Sequence, residues 1–244
     1  MKKLSKVEKN FIEKIDKKIG KSINNYGLIM HGDRVLVAVS GGKDSLVLLD
    51  SLWRRLKIIP VKYELFAIHI KLKGLSYQID NELIEKFCSD RDIDLQIYEE
   101  EVDVNLSTKT PCFICSHTRR KLIFEMAAKM NCNKLAFGHH MDDAVETLLM
   151  NMMYQSNISS IPAKVSMFDG KFDLIRPLIK VRDKETKQYS EIFNYPKMKS
   201  LCAFEDKTKR KVANQIMELM EKNYNNSISS IFASMQNVDK DYLP

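Results

Sequence analysis

The sequence predicts an α/β fold, a parallel five-stranded sheet with helices on both faces. An amphipathic helix precedes it at the N-terminus. Two observations carry this. Short apolar runs alternate with segments of helical periodicity along the chain, which is the pattern of a parallel sheet built from crossover units. Strands are expected at 35–39, 65–70, 95–98, 134–138 and 172–176, and helices at 44–57, 80–90, 116–130, 143–154, 183–193 and 207–222. The second observation is a glycine-containing loop, Ser40-Gly41-Gly42-Lys43-Asp44-Ser45, between the first strand and its helix. In such sheets ligands gather at the carboxyl ends of the strands. The chemistry-bearing motifs of this chain fall in loops of that kind, so one shared site is expected.

The leading helix is read over residues 4–19, where Leu4, Val7, Phe11, Ile12, Ile15 and Ile19 share one face and Gly20 can end it. Ser5 and Glu8 have capping-box spacing. Lys9, Lys14, Lys17 and Lys18 lie on the opposite face. Net charge is +7 and is uneven along the chain. Residues 1–34 hold nine Lys/Arg against four Asp/Glu, residues 35–196 hold 22 of each, and residues 197–244 hold eight against six. Basic ends flanking a neutral middle suit a polyanion or a simply lysine-rich surface. The domain reading follows these breaks: a basic helical extension at 1–34, a nucleotide-binding domain with a C-x-x-C insertion at 35–196, and a C-terminal segment at 197–244 carrying Cys202. Composition excludes a disordered or collagen-like chain: 44% of residues are hydrophobic and 29% charged. Apolar runs such as Val35–Val39 are far below the ~20 residues a bilayer requires, and no secretory leader is seen. A cytoplasmic protein without membrane attachment is expected.

The loop 40–45 suits a phosphate group. Two glycines permit a tight turn without side chains in the way. Ser40 and Ser45 offer hydroxyls, and the helix behind them offers free N–H groups at the positive end of its dipole. The spacing is neither G-x-x-x-x-G-K-[ST] nor G-x-G-x-x-G. Asp44 is an acid among phosphate binders, which makes sense if Mg²⁺ bridges it to a pyrophosphate. The bland alternative is a dipole-facing acid at a helix start.

Five cysteines occur: Cys88, Cys112, Cys115, Cys132 and Cys202. The odd count argues against a disulfide framework. Cys88 and Cys132 sit in apolar patterns and read as core residues. Cys112 and Cys115 form a C-x-x-C at a helix entry, able to bind a metal or cluster or to act as a redox pair. Cys202 is the obvious third thiol, and His117 is a conceivable fourth zinc ligand. The run Arg119-Arg120-Lys121 follows. After the fourth strand comes Gly138-His139-His140-Met141-Asp142-Asp143, in which two histidines and two carboxylates could hold a metal or contact ATP and Mg²⁺, with Asp142 capping the helix. The plain alternative is a polar loop and a capped helix.

Ser-Gly-Gly-Lys-Asp-Ser resembles the pyrophosphate loop of the PP-loop ATP pyrophosphatases, which cleave ATP to AMP and pyrophosphate. Cys112–Lys121 resembles the C-x-x-C segment of the tRNA 2-thiocytidine synthetases. So do the stretch from Ile19 to Leu56, Gly138–Asp143 with Thr147-Leu148 and Asn151-Met152 beyond it, Ile175-Arg176-Pro177-Leu178, and Ser234-Met235-Gln236-Asn237-Val238. The likeness runs from about residue 19 to 238 in the right order. It implies a Rossmann-like fold of the adenine nucleotide alpha hydrolase type. It also implies a [4Fe-4S] cluster on Cys112, Cys115 and Cys202, with a fourth iron left open to sulfur. Many relatives carry a second C-x-x-C around the third ligand, whereas Lys199-Ser200-Leu201-Cys202 keeps one cysteine.

The resemblance implies that Ser40, Gly41, Gly42, Lys43, Asp44 and Ser45, with Gly138, His139 and Asp143, bind ATP and Mg²⁺. Asp44, Cys112, Cys115 and Cys202 would carry catalysis. The expected reaction is adenylation of the C2 oxygen of an anticodon-loop cytidine, then its replacement by sulfur. Expected partners are tRNA, a sulfur donor such as a cysteine desulfurase, and, by the resemblance, a second copy in a homodimer. The alternatives are a cluster-free persulfide thiouridylase, a lysidine-type synthetase, and a nucleic-acid-binding module with structural zinc.

Overall fold

The computed structural model describes residues 4–73, 81–101, 111–196 and 209–242. Helix α1 spans Lys6–Tyr26, and its capping box at Ser5 and Glu8 is formed: Ser5 Oγ accepts from the Glu8 amide, and the Glu8 carboxylate accepts from Ser5 N–H. The helix does not stop at Gly20. It runs through that residue, and the Arg55 guanidinium packs there, where an added Cβ would sit 2.9 Å from its Nη1. Gly27, at φ 56°, terminates it instead.

The chain then alternates as expected through β1 (Arg34–Ala38), α2 (Lys43–Ile58), β2 (Glu64–Lys73), α3 (Asn81–Ser89), β3 (Asp94–Glu101), α4 (Pro111–Lys129), β4 (Lys134–Ala136) and α5 (Met141–Gln155). The hairpin β5 (Lys164–Met167) and β6 (Phe172–Ile175) follows, then α6 (Asp183–Ile192), α7 (Lys209–Asn223) and α8 (Ser227–Ser234). The sheet has six strands in the order β3-β2-β1-β4-β6-β5, where five parallel strands were expected. The addition is β5, which pairs antiparallel with β6 at the edge. Lys-Val-Ser-Met is too short and too polar to announce a strand, and its partner's geometry makes it one. Helix α8 also went unanticipated, and α4 begins at Pro111 rather than at 116.

Strand β1 is buried on both faces. Val35, Val37 and Val39 join the core formed with α1, α2 and α6, while Leu36 joins Ile68, Ile70 and Leu135 against Leu122, Ile123 and Met126 of α4. Each such side chain contributes about 1.5–3 kcal/mol on burial. Cys88 and Cys132 are core residues, as the sequence suggests, and burial pushes both thiols up to about 11. α1 is likewise part of the main core through Ile12, Ile15, Ile19 and Ile23. A third cluster joins Met141 and Val145 of α5 to Met217 of α7 and Ile228 of α8. Among the described residues no helix is long and apolar enough to cross a membrane.

Candidate functional site

The strand order reverses beside β1. The chain steps outward from β1 to β2 and β3, then returns to place β4 on the other flank. This is the switch point at which ligands of open α/β sheets bind. The loops leaving β1 and β4 line its two sides.

The loop after β1 makes its turn at Gly41, where φ is 84° and a side chain would be strained. Gly42 caps α2. The loop is stiffened by its own hydroxyls: Gly42 N donates to Ser40 Oγ (3.3 Å), and Ser45 Oγ donates to the Gly42 carbonyl (2.8 Å). The loop after β4 presses directly on it. A Cβ at Gly138 would lie 2.9 Å from the Ser45 backbone nitrogen and 3.1 Å from the Asp44 carbonyl oxygen. Gly138 therefore sets the distance between the two loops.

Lys43 Nζ is held by both Asp44 oxygens at 3.0 Å and by Asp183 Oδ1 at 2.6 Å. Burial works against the Lys43 charge, but the two carboxylates outweigh it and raise its proton affinity. His140 Nε2 lies 3.3 Å from the same Asp183 oxygen and 3.9 Å from Asp44 Oδ1. Thr186 Oγ1 donates to Asp44 Oδ1 at 2.5 Å. Ligand atoms of Asp44, His140 and Asp183 all lie within 4.8 Å of one another, a spacing that can hold a divalent cation. Hydrogen bonding from His140, followed by the Lys43 interaction, holds the Asp183 carboxyl well below the usual carboxylate range despite its burial.

Asp183 and Thr186 come from the first turn of α6, and α6 is pinned by three contacts. Tyr189 OH donates to the buried Asp50 of α2 (2.9 Å), and Lys18 of α1 pairs with Glu185 (2.6 Å). Arg182, just before the helix, pairs with Asp142 and Glu221 at 3.0 Å each. Asp142 thus does not cap α5. It accepts from the Asp183 amide (2.8 Å) and from Arg182, while His140 takes the capping position, its Nδ1 3.3 Å from Asp143 N. The Asp143 carboxylate completes the box at His140 N (2.7 Å).

His139 lies on the other side of this loop. Its Nδ1 is buried without a hydrogen-bond partner among the described residues. Burial, with the Arg176 and Arg210 charges, lowers its proton affinity, and Asp143 opposes them.

Sequence reasoning singled out Ser40–Ser45, Gly138, His139 and Asp143. The structure brings the loop, Gly138 and Asp143 together around His140, and adds Asp183 and Thr186 from α6. The clue to these two lies in the sequence: an acid opening a helix just beyond Arg176-Pro177-Leu178. Cys115 is half-buried in the first turn of α4, one helical turn from position 112. Cys202 and the Cys112 side chain lie outside the described residues.

The loop pair at the switch point has the form of a nucleotide site, and a family model, described as a PP-loop domain, matches residues 10–215. The chain belongs to the PP-loop domain family. Among its relatives is the tRNA-cytidine(32) 2-sulfurtransferase of Idiomarina loihiensis, 32% identical over 237 residues, covering 95% of this chain and 78% of that protein. The protein of the same name from Aliivibrio fischeri is 32% identical over 255 residues, covering 100% and 82%. The chain therefore also belongs to the family that these sulfurtransferases form. In fold, the PP-loop chain is similar to the U34-tRNA thiolase of Methanococcus maripaludis, solved with its [4Fe-4S] cluster. The TM-score is 0.78 at 25% identity, covering 97% of this chain and 81% of that one.

Proposed function

We propose that this PP-loop protein is an ATP-dependent tRNA sulfurtransferase that converts an anticodon-loop cytidine to 2-thiocytidine. The observation that carries this reading is the interlocked pair of loops at the switch point, with Lys43, Asp44, His140 and Asp183 converging beside the N-terminus of α2. The names of the full-length relatives supply the substrate class.

In this reading the backbone amides of Gly41–Ser45 and the dipole of α2 take the ATP phosphates. Lys43 exchanges Asp183 for a phosphate oxygen. Asp44 and Asp183 would hold Mg²⁺, which would supply neutralisation of charge on the departing pyrophosphate. Gly138 keeps the two loops close, and the Arg182–Asp142 pair holds the first turn of α6 in place. The cytidine C2 oxygen attacks the α-phosphorus, the bond to the β-phosphate oxygen breaks, and pyrophosphate leaves. A sulfur nucleophile adds at C2, the C2–O bond breaks, and AMP departs. The chain's part is positioning and charge compensation.

Cys112, Cys115 and Cys202 are assigned to a [4Fe-4S] cluster, which would supply an iron without a protein ligand where sulfur can attach. Support comes from the first-turn placement of the C-x-x-C at the carboxyl edge of the sheet and from the cluster of the archaeal thiolase. Docking of tRNA is assigned to Arg119, Arg120 and Lys121 and to the basic ends of the chain. The sulfur donor would be a protein such as a cysteine desulfurase.

The test has two parts. Anaerobically purified wild type is expected to contain about four iron and four sulfide per chain, and Cys202→Ala far less. Nucleosides from cells lacking the gene are expected to lose 2-thiocytidine. Iron-free wild type would end the cluster assignment, and loss of 2-thiouridine instead would reassign the base.

A further inference from the structure

Helix α4 buries Leu122, Ile123, Met126 and Ala127 against the sheet. On its opposite face, the first residue after Cys112 in the C-x-x-C is a phenylalanine. Phe113 is 45% exposed. Its ring stacks on His117, one turn further along, with centroids 5.7 Å apart and planes 18° from parallel. Arg120 and Lys121 continue the same face and are also exposed. The helix as a whole carries four cations, Arg119, Arg120, Lys121 and Lys129, against the single acid Glu125.

A large aromatic ring that keeps nearly half of its surface exposed gives up part of the stabilisation that full burial supplies. Here the sequence places it outward, flat against an imidazole, beside two cations. α4 follows β3 and precedes β4 in a parallel sheet, so its first turn stands at the carboxyl edge, as do the loops at 40–45 and 138–143. Flat aromatic rings flanked by cations are the means by which proteins hold unpaired bases: the ring takes the base, the cations take the phosphates. The excess of positive charge selects a polyanion over an acid-poor protein surface as the occupant.

We propose that Phe113 and His117 form a stacking platform for an unpaired base of the anticodon loop next to the nucleotide being modified, with Arg120 and Lys121 on its phosphates. This rests on the tRNA reading above. It adds the residues that hold the loop open beside the site.

The test uses the full-length protein, purified anaerobically, and an unmodified anticodon stem-loop RNA carrying 2-aminopurine at successive loop positions. Phe113→Ala is expected to weaken binding about 10- to 100-fold, the range one lost base–aromatic stack commands. It should also abolish the fluorescence change at one loop position. Iron content and ATP affinity, measured on the same samples, are expected to match wild type. Phe113→Trp is expected to restore affinity to within about threefold. Its new indole should be quenched by the RNA, with wild type, whose single tryptophan is Trp53, as the control. Unchanged RNA affinity in Phe113→Ala overturns the platform, as does a loss that Phe113→Trp fails to rescue. Loss of iron in Phe113→Ala would make the ring a shield for the cysteines. Loss of binding to a cysteine desulfurase with RNA affinity intact would make the face a protein dock. Wild type that binds no stem-loop at all defeats the tRNA reading itself, a result distinct from all of these.

Discussion

His139 and His140 are neighbours in one loop, yet the two sides of that loop hold protons in opposite ways. On the side facing the phosphate loop, burial disfavours a charged His140. The hydrogen bond to Asp183 and the carboxylates of Asp143, Asp44 and Asp142 outweigh it and raise the affinity. Its Nδ1 lies 3.3 Å from Asp143 N and 3.2 Å from Asp143 Oδ2. The neutral ring can therefore accept from the amide, and the charged ring can donate to the carboxylate. On the other side, burial and two arginines lower the proton affinity of His139, against the opposing charge of Asp143. There the buried Glu146 is pushed upward by desolvation, with Arg210 Nε at 3.5 Å only partly offsetting it. α6 and α7 each add to the contrast: one brings Asp183 to His140, the other Arg210 to His139. The first side gathers cations, and the second disfavours charge on both His139 and Glu146.

The largest effect is expected from Asp44→Asn. It removes the carboxylate shared by Lys43, His140 and Thr186, and ATP–pyrophosphate exchange should fall at least ~100-fold. A near-normal rate would mean that the cation-gathering side is not the nucleotide site. Next comes Gly138→Ala, whose Cβ has only backbone to meet at 2.9 Å. Chemical denaturation should show a loss of about 1–3 kcal/mol, with a raised KM for ATP if the protein folds.

The comparison is sharpest in its pH dependence. The His140 contribution to stability is fully present below the ordinary imidazole value of about 6.5 and is lost as pH rises through its raised folded value. The His139 contribution is present above about 6.5 and is lost as pH falls through its lowered one. NMR titration of the metal-free protein should show the two rings bracketing that value. Asp183→Asn should bring His140 down and leave His139 in place, and a parallel movement of both rings would refute the separation. The smallest effect is expected from Arg210→Ala. The arginine side chain is 63% exposed, so its pair with Glu146 should be worth no more than about 1 kcal/mol in a denaturant titration.

Much of the fold was readable because it is written locally. The alternation of Val35–Val39 with the Leu46, Leu48, Leu49 and Leu52 face of α2 announces strand and helix wherever it occurs. The phosphate loop is a contiguous motif. Three misreadings involve a partner distant in sequence. Gly20 looks like a helix end, yet the helix continues to Gly27 and Arg55 packs where a Gly20 side chain would be. Lys164–Met167 becomes a strand because β6 offers an edge. Asp142 looks like a cap until Arg182 takes it and His140 substitutes.

From the amino-acid order alone came the α/β class, the Gly41–Gly42 turn, the core role of Cys88 and Cys132, and the set of residues worth examining. Tertiary structure decided which of them meet. Lys43 and Asp183 stand 140 positions apart and touch at 2.6 Å. Composition and spacing report on forces acting within a turn or two of chain. Whether a histidine gains or loses a proton depends on burial and on charges, Asp183 and Arg210 among them, that only packing brings into range.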